Sequence, residues 1–373
     1  MSKYLEIDGT ILEGVDYSVK ESLKKIVIPD GITEIGNCAF SGCESLKSIS
    51  IPDSVKKIGD SAFYGCTSLQ NIIIPNRVRR IGEQAFGGCN YLRNISLPNS
   101  ISKISYGTFD GCSSLQEIIL PAGISSIEKM AFNECTSLKN VFIPESVKTI
   151  GDYAFDECHS IESISIPNGI THIGEYAFHN CTSLQRVEIP GSLLTISANT
   201  FNECHNLKSV VISEGVETIE RSAFEACNSL ENVSIPDTVS RINDYAFDEC
   251  PSLMSVEIEE EAVIGNNAFP EGTEVRLRKG DPAVKEARLK QKAELEQKKR
   301  EAETARIEYL KAAERKERRQ KALSILFCLL ILSLCICWYL FFVTDWAILW
   351  QILWFIIIVP ANIGLFILKW LMS

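Results

Sequence analysis

Two residue types in this chain could do chemistry. Ten cysteines recur at a constant interval of 23 residues (Cys43, Cys66, Cys89, Cys112, Cys135, Cys158, Cys181, Cys204, Cys227 and Cys250). Thiols at that density would suit a disulfide framework, a metal site or a nucleophile. Two of the four histidines, His159 and His205, directly follow ladder cysteines, which invites a Cys/His dyad; the others are His172 and His179. Zinc needs paired ligand spacings, and the repeats contain none. Adjacency in sequence is not catalytic geometry, and both histidines fall in a column held elsewhere by Glu44, Thr67 and Ser113, so they read as surface variation. Residues 1–10 (MSKYLEIDGT) carry no apolar run of signal-peptide type, which predicts reduced thiols. A free cysteine is a small hydrophobe, and one per unit in a fixed column reads as a packing residue.

The elements that position each cysteine follow from the columns around it. One unit reads L-x-x-I-x-I-P-x-x-V-x-x-I-G-x-x-A-F-x-x-C-x-S, as in Leu46, Ile49, Ile51, Pro52, Val55, Ile58, Gly59, Ala62, Phe63 and Cys66. L-x-x-I-x-I predicts a strand beginning at the leucine, with Ser50 solvated between two buried isoleucines. The proline that follows lacks the amide needed to extend a ladder, so it ends the strand. V-x-x-I-G predicts a second extended segment closed by a glycine turn, and A-F-x-x-C a single helical turn. A coil this small cannot bury its own Leu, Ile and Phe, so the coils must stack into a solenoid of parallel strands. Asp8-Gly9 between two alternating runs predicts a hairpin cap at the front. Ile264, Gly265, Ala268, Phe269 and the charged strand EVRLR (Glu274 to Arg278) predict a cap at the back.

The P-x-x-V-x-x-I-G-x-x-A-F-x-x-C-x-S-L unit resembles the BspA-like leucine-rich repeat over about residues 20–280. The resemblance implies a right-handed leucine-rich repeat solenoid that serves as a binding surface without catalysis, often in surface or adhesion proteins of bacteria and some protists. Independently of it, the chain lacks a glycine-rich phosphate loop, paired catalytic carboxylates and a nucleophile motif, so neither an enzyme nor a bound cofactor is expected.

Charge divides the chain. Residues 1–275 hold 19 basic and 38 acidic side chains, a net charge of −19, and residues 276–321 hold 17 and 9, a net charge of +8. An acidic solenoid argues against nucleic acid as its partner. Its exposed strand positions are the natural recognition face. That column reads Ser50, Ile73, Ser96, Ile119, Phe142, Ser165, Glu188, Val211, Ser234 and Glu257. Ile73, Ile119 and Phe142, rimmed by Lys47, Arg93 and Lys139, form the candidate protein-binding surface.

After Asp281-Pro282 the composition turns to Ala, Glu, Lys, Arg and Gln, which predicts a solvated helical stalk rather than a sustained coiled coil. Leu323 to Val343 and Trp346 to Leu368 are uncharged and long enough to cross a bilayer, and the two-residue connection predicts a hairpin. Arg315, Lys316, Arg318, Arg319 and Lys321 form a membrane-proximal basic cluster suited to anionic headgroups. With Lys369 on the same side, they predict repeats that face the cytoplasm. The expected order is a cap at 1–22, a solenoid at 23–280, a charged stalk at 281–321 and a transmembrane hairpin at 322–370. The expected function is a membrane-anchored scaffold binding a protein partner, and the alternative is a cell-surface adhesin with exported repeats.

Overall fold

The computed structural model describes residues 4–343. The second uncharged run and Lys369 lie outside the described residues. Residues 25–278 form a stack of coils in which each coil contributes one strand to a long ladder and one to a short ladder. The long ladder includes Lys25–Val27, Ser48–Ser50, Asn71–Ile73, Glu117–Ile119 and Asn140–Phe142; the short one includes Glu34–Ile35, Lys57–Ile58 and Arg80–Ile81. All inter-coil pairs within a ladder are parallel and in register, as in Ile35 with Ile58 and Ile58 with Ile81. Up to Arg241 and Ile242 every such partner is offset by one period, so columns in sequence become columns in space; the offset falls to 22 at Arg241–Val263 and to 19 at Ser255–Glu274 in the back cap.

The long strands begin two residues later than the leucine. The amide of Leu46 donates to the Cys43 carbonyl at 3.0 Å, and Leu69 donates likewise to Cys66 at 3.0 Å, so the leucine amide closes a turn and cannot join a ladder. Leucine therefore works as core, fully buried at Leu46, Leu69 and Leu92.

The segment after the second strand is not a helical turn. Ser41 donates to the Cys38 carbonyl (2.9 Å) and Cys43 to that of Phe40 (3.0 Å), but Cys38, Phe40 and Gly42 donate forward to Asp60, Ala62 and Tyr64 of the next coil (2.9, 2.7 and 2.7 Å). Alternate amides thus serve the coil and its neighbour. That arrangement needs left-handed backbone at Cys38 (φ 57°) and Gly42 (φ 70°), which a helix cannot accommodate. The glycine before this segment is not a turn residue. A Cβ on Gly59 would lie 2.6 Å from the backbone nitrogen of Asn37 in the previous coil, so glycine there permits close stacking.

The core runs the length of the stack. Phe40, Phe63, Phe86, Phe109, Phe132, Phe155, Phe178, Phe201, Phe224 and Phe247 are fully buried. Their rings stack almost parallel, with centroids 5.2 Å apart at Phe40–Phe63 and 5.1 Å at Phe132–Phe155. The front hairpin pairs Leu5–Asp8 with Ile11–Val15, and the second of these strands continues the short ladder. At the back, Glu274–Arg278 pairs with Ser255–Glu259, and Phe269 stacks on Phe247 at 5.3 Å. Arg278 donates to Asp237 at 2.7 Å, which ties this last strand to an earlier coil.

A single helix, α1, occupies Pro282–Val343. Asp281 accepts from the Ala283 amide at 2.8 Å and caps the helix, with Pro282 in the first turn. Stalk and first uncharged run are thus one uninterrupted helix of 62 residues, about 90 Å at 1.5 Å per residue. A division between compact units falls at Glu286/Ala287, inside α1. Within Glu296–Ile336, α1 is long and apolar enough to cross a membrane by length and composition.

Candidate functional site

The thiols of the cysteine ladder are packed inward. From Cys66 to Cys250 each thiol donates to the phenylalanine carbonyl of the preceding coil, as Cys66 does to Phe40 (3.2 Å) and Cys158 to Phe132 (3.2 Å). Burial pushes the thiols up, to about 11 at Cys43 and about 12 at Cys204, so at neutral pH they are protonated and poor nucleophiles. The neighbouring imidazoles have other partners. His159 Nε2 lies 2.9 Å from Glu157, and His205 Nδ1 lies 2.9 Å from the Ala226 carbonyl. The cysteines are free thiols fixed in the core, and neither Cys158 nor Cys204 forms a dyad with the histidine beside it.

The exposed surface is better placed for recognition. In the three-residue strands of the long ladder the middle residue points inward and its neighbours outward, as in Asn71–Ile73 and Asn140–Phe142. Ile73, Ile119 and Phe142 are 76%, 84% and 69% exposed, unlike the buried Ile72, Ile118 and Val141 between the same faces. Ile119 and Phe142 are direct register partners. Ile73 pairs with Ser96 and stands two coils from Ile119, about 10 Å at ladder spacing. Val27, 51% exposed and paired with Ser50, puts a further apolar side chain in the same column two coils before Ile73. The 23-residue offset from Ser50 marks that position in the sequence.

Lys47, Arg93 and Lys139 are exposed at the strand entries. Their amides donate to Lys24, Gln70 and Gln116 of the preceding coil at 2.9, 2.9 and 3.1 Å. Their backbones are therefore held by the stack while their charged ends remain free to move. Beside Ile73 a shallow depression is lined by Ser50, Asp53, Asn71 and Pro75. The face thus offers apolar side chains on a rigid sheet with a cationic and amide rim.

On α1, Arg315, Lys316, Arg318, Arg319 and Lys321 are all exposed. Lys321 pairs with Glu317 at 2.7 Å one turn earlier. That carboxylate offsets one of the five cations, so the cluster keeps most of its positive field.

Comparison with known proteins agrees with this architecture. The profile of the BspA type leucine rich repeat region matches over 15–122, 56–185, 102–228 and 148–276. No curated protein matches the chain. A leucine-rich repeat protein from Bacteroides ovatus is 31% identical, with a TM-score of 0.60 over 73% of this chain and 83% of that one. One from Eubacterium ventriosum is 22% identical, with a TM-score of 0.46 over 73% and 90%. With the profile spanning the coils from the first strand pair to the back cap, the chain belongs to the BspA-type leucine-rich repeat family.

Proposed function

We propose that this chain is a membrane-anchored, non-catalytic scaffold whose solenoid binds a partner protein through the outward column at Ile73, Ile119 and Phe142. The carrying observation is the exposure of these three large apolar side chains on a sheet whose backbone is fixed by the stack. Lys47, Arg93 and Lys139 favour a partner that surrounds an apolar anchor with carboxylates. A photo-crosslinking residue placed at Phe142 is expected to trap one protein reproducibly. Changing Ile73, Ile119 and Lys139 to Ser in that background should abolish the adduct without altering the thermal midpoint. An adduct that survives these changes, or one formed equally well from Ser165, would remove the binding face.

Anchoring rests on the apolar half of α1, and the second uncharged run, 346–368, supplies the return span. The basic cluster at 315–321 keeps its end of the helix on the cytoplasmic side, where anionic headgroups also attract it. In this topology the repeats face the cytoplasm. Protease added to intact cells should leave them whole until the membrane is permeabilised, whereas digestion from outside would favour the surface adhesin reading of the same fold.

A further inference from the structure

On the turn side of the stack, the residue after each core phenylalanine forms a column of its own: Asp110, Asn133, Asp156 and His179 in successive coils. Asn133 donates to Asp110 at 2.8 Å, which satisfies that carboxylate with a neutral amide. Two periods on, the donor is an imidazole. His179 Nδ1 lies 2.7 Å from Asp156, and both side chains are largely covered, 19% and 14% exposed. His179 Nε2 faces Glu203 at 3.8 Å, too far for a hydrogen bond. Glu157 is the third carboxylate, and donor atoms of Asp156, Glu157 and His179 all lie within 4.8 Å of one another. His159 Nε2 lies 2.9 Å from the Glu157 carboxylate.

Structure alone does not require this arrangement, because the Asp110–Asn133 pair holds the same column together with one carboxylate. Here three carboxylates surround one ring in a half-buried setting. A proton on the ring compensates a single negative charge. The carboxylates of Asp156, Glu157 and Glu203 leave a net negative field around the ring. The same surroundings attract any cation.

We propose that Asp156, Glu157 and His179 bind a divalent transition ion of the zinc type. Mixed imidazole and carboxylate donors suit such an ion, and the thiol of Cys158 takes no part because it donates inward to Phe132. The remaining coordination positions are open to water. Binding displaces the ring proton of His179 to solvent and replaces the Asp156 contact with two metal bonds.

The test is calorimetric titration of Zn2+ into the full chain in detergent, with the cysteines outside the ladder (Cys38, Cys328, Cys335 and Cys337) changed to Ser so that their thiols do not compete. One ion per chain is expected, released by a chelator. His179→Asn is the decisive variant, because it copies the Asn133–Asp110 pair and so preserves the fold, yet removes the nitrogen ligand. It should weaken binding by more than the roughly tenfold that changes even outside the ligand shell cost. Asp156→Asn should do the same. Co2+ in the parent should give visible ligand-field bands without the near-ultraviolet charge transfer that thiolate ligation produces. Absence of saturable binding in the parent, or undiminished binding in His179→Asn with an unchanged thermal midpoint, would overturn the proposal.

Discussion

Raised above pH 9, the solenoid is expected to unfold cooperatively, and its cysteines are the cause. Burial holds the thiols of Cys66, Cys89, Cys112, Cys135, Cys158, Cys181, Cys204 and Cys227 above the ordinary value of 9.0. In the unfolded chain the same groups ionise near that value. A raised folded-state pKa leaves stability intact below pH 9. Stability is then lost as the pH climbs from the unfolded toward the folded value, because the unfolded chain releases protons that the folded one retains. At pH 10 each thiol costs about 1.4 kcal/mol, so the eight together cost about 11 kcal/mol, comparable with the whole stability of an ordinary domain. Circular dichroism against pH, under reductant and without oxygen, should show a steep transition near pH 10 that reverses on neutralisation. Its steepness reports the protons released. Changing Cys112, Cys135 and Cys158 to Ala should reduce that release by about three per chain, whatever it does to the midpoint. An unchanged steepness would assign the transition to other groups.

Much of this was legible because a strict period converts columns of sequence into columns of space. Phe155, Cys158 and Ile161 can be assigned to the core from their offsets alone, and all three are fully buried. The alternation that leaves Phe142 outside is equally plain. The turn after the short strand was not legible, because it depends on the sign of φ at residues such as Ser61 (54°) and Tyr153 (56°), whose types have no left-handed preference. What sustains those angles is a hydrogen bond to the next coil, as from Ser61 to Glu83 at 2.7 Å, and no local pattern announces it. The acidic and histidine cluster was illegible for a different reason. Adjacency in sequence pairs His159 with Cys158, whereas the stack pairs His179 with Asp156, one period away. In a solenoid the chemically relevant neighbour of residue i is residue i+23.

The phenylalanine column makes the same stacking principle measurable. Phe155 is fully buried between Phe132 at 5.1 Å and Phe178 at 5.3 Å. Phe155→Ala should cost about 3–5 kcal/mol for the buried ring and its cavity. The two lost stacking contacts place it toward the upper end of that range. Phe269, only partly buried and stacked on Phe247 alone at 5.3 Å, should cost less than half as much when changed to Ala. The location of the damage should differ as well as its size. Each coil is stabilised by its immediate neighbours, so a lesion at the end frays one coil, whereas a lesion in the middle uncouples two half-stacks. Hydrogen exchange should therefore accelerate in Phe155→Ala at the Phe132 and Phe155 amides, which donate to Ala154 and Ala177 across the adjoining coil boundaries. In Phe269→Ala the faster exchange should stay near the Phe247 amide, which donates to Ala268. Equal losses of stability with uniform exchange in both variants would mean that the stack melts as one block and that the nearest-neighbour account of its cohesion is wrong.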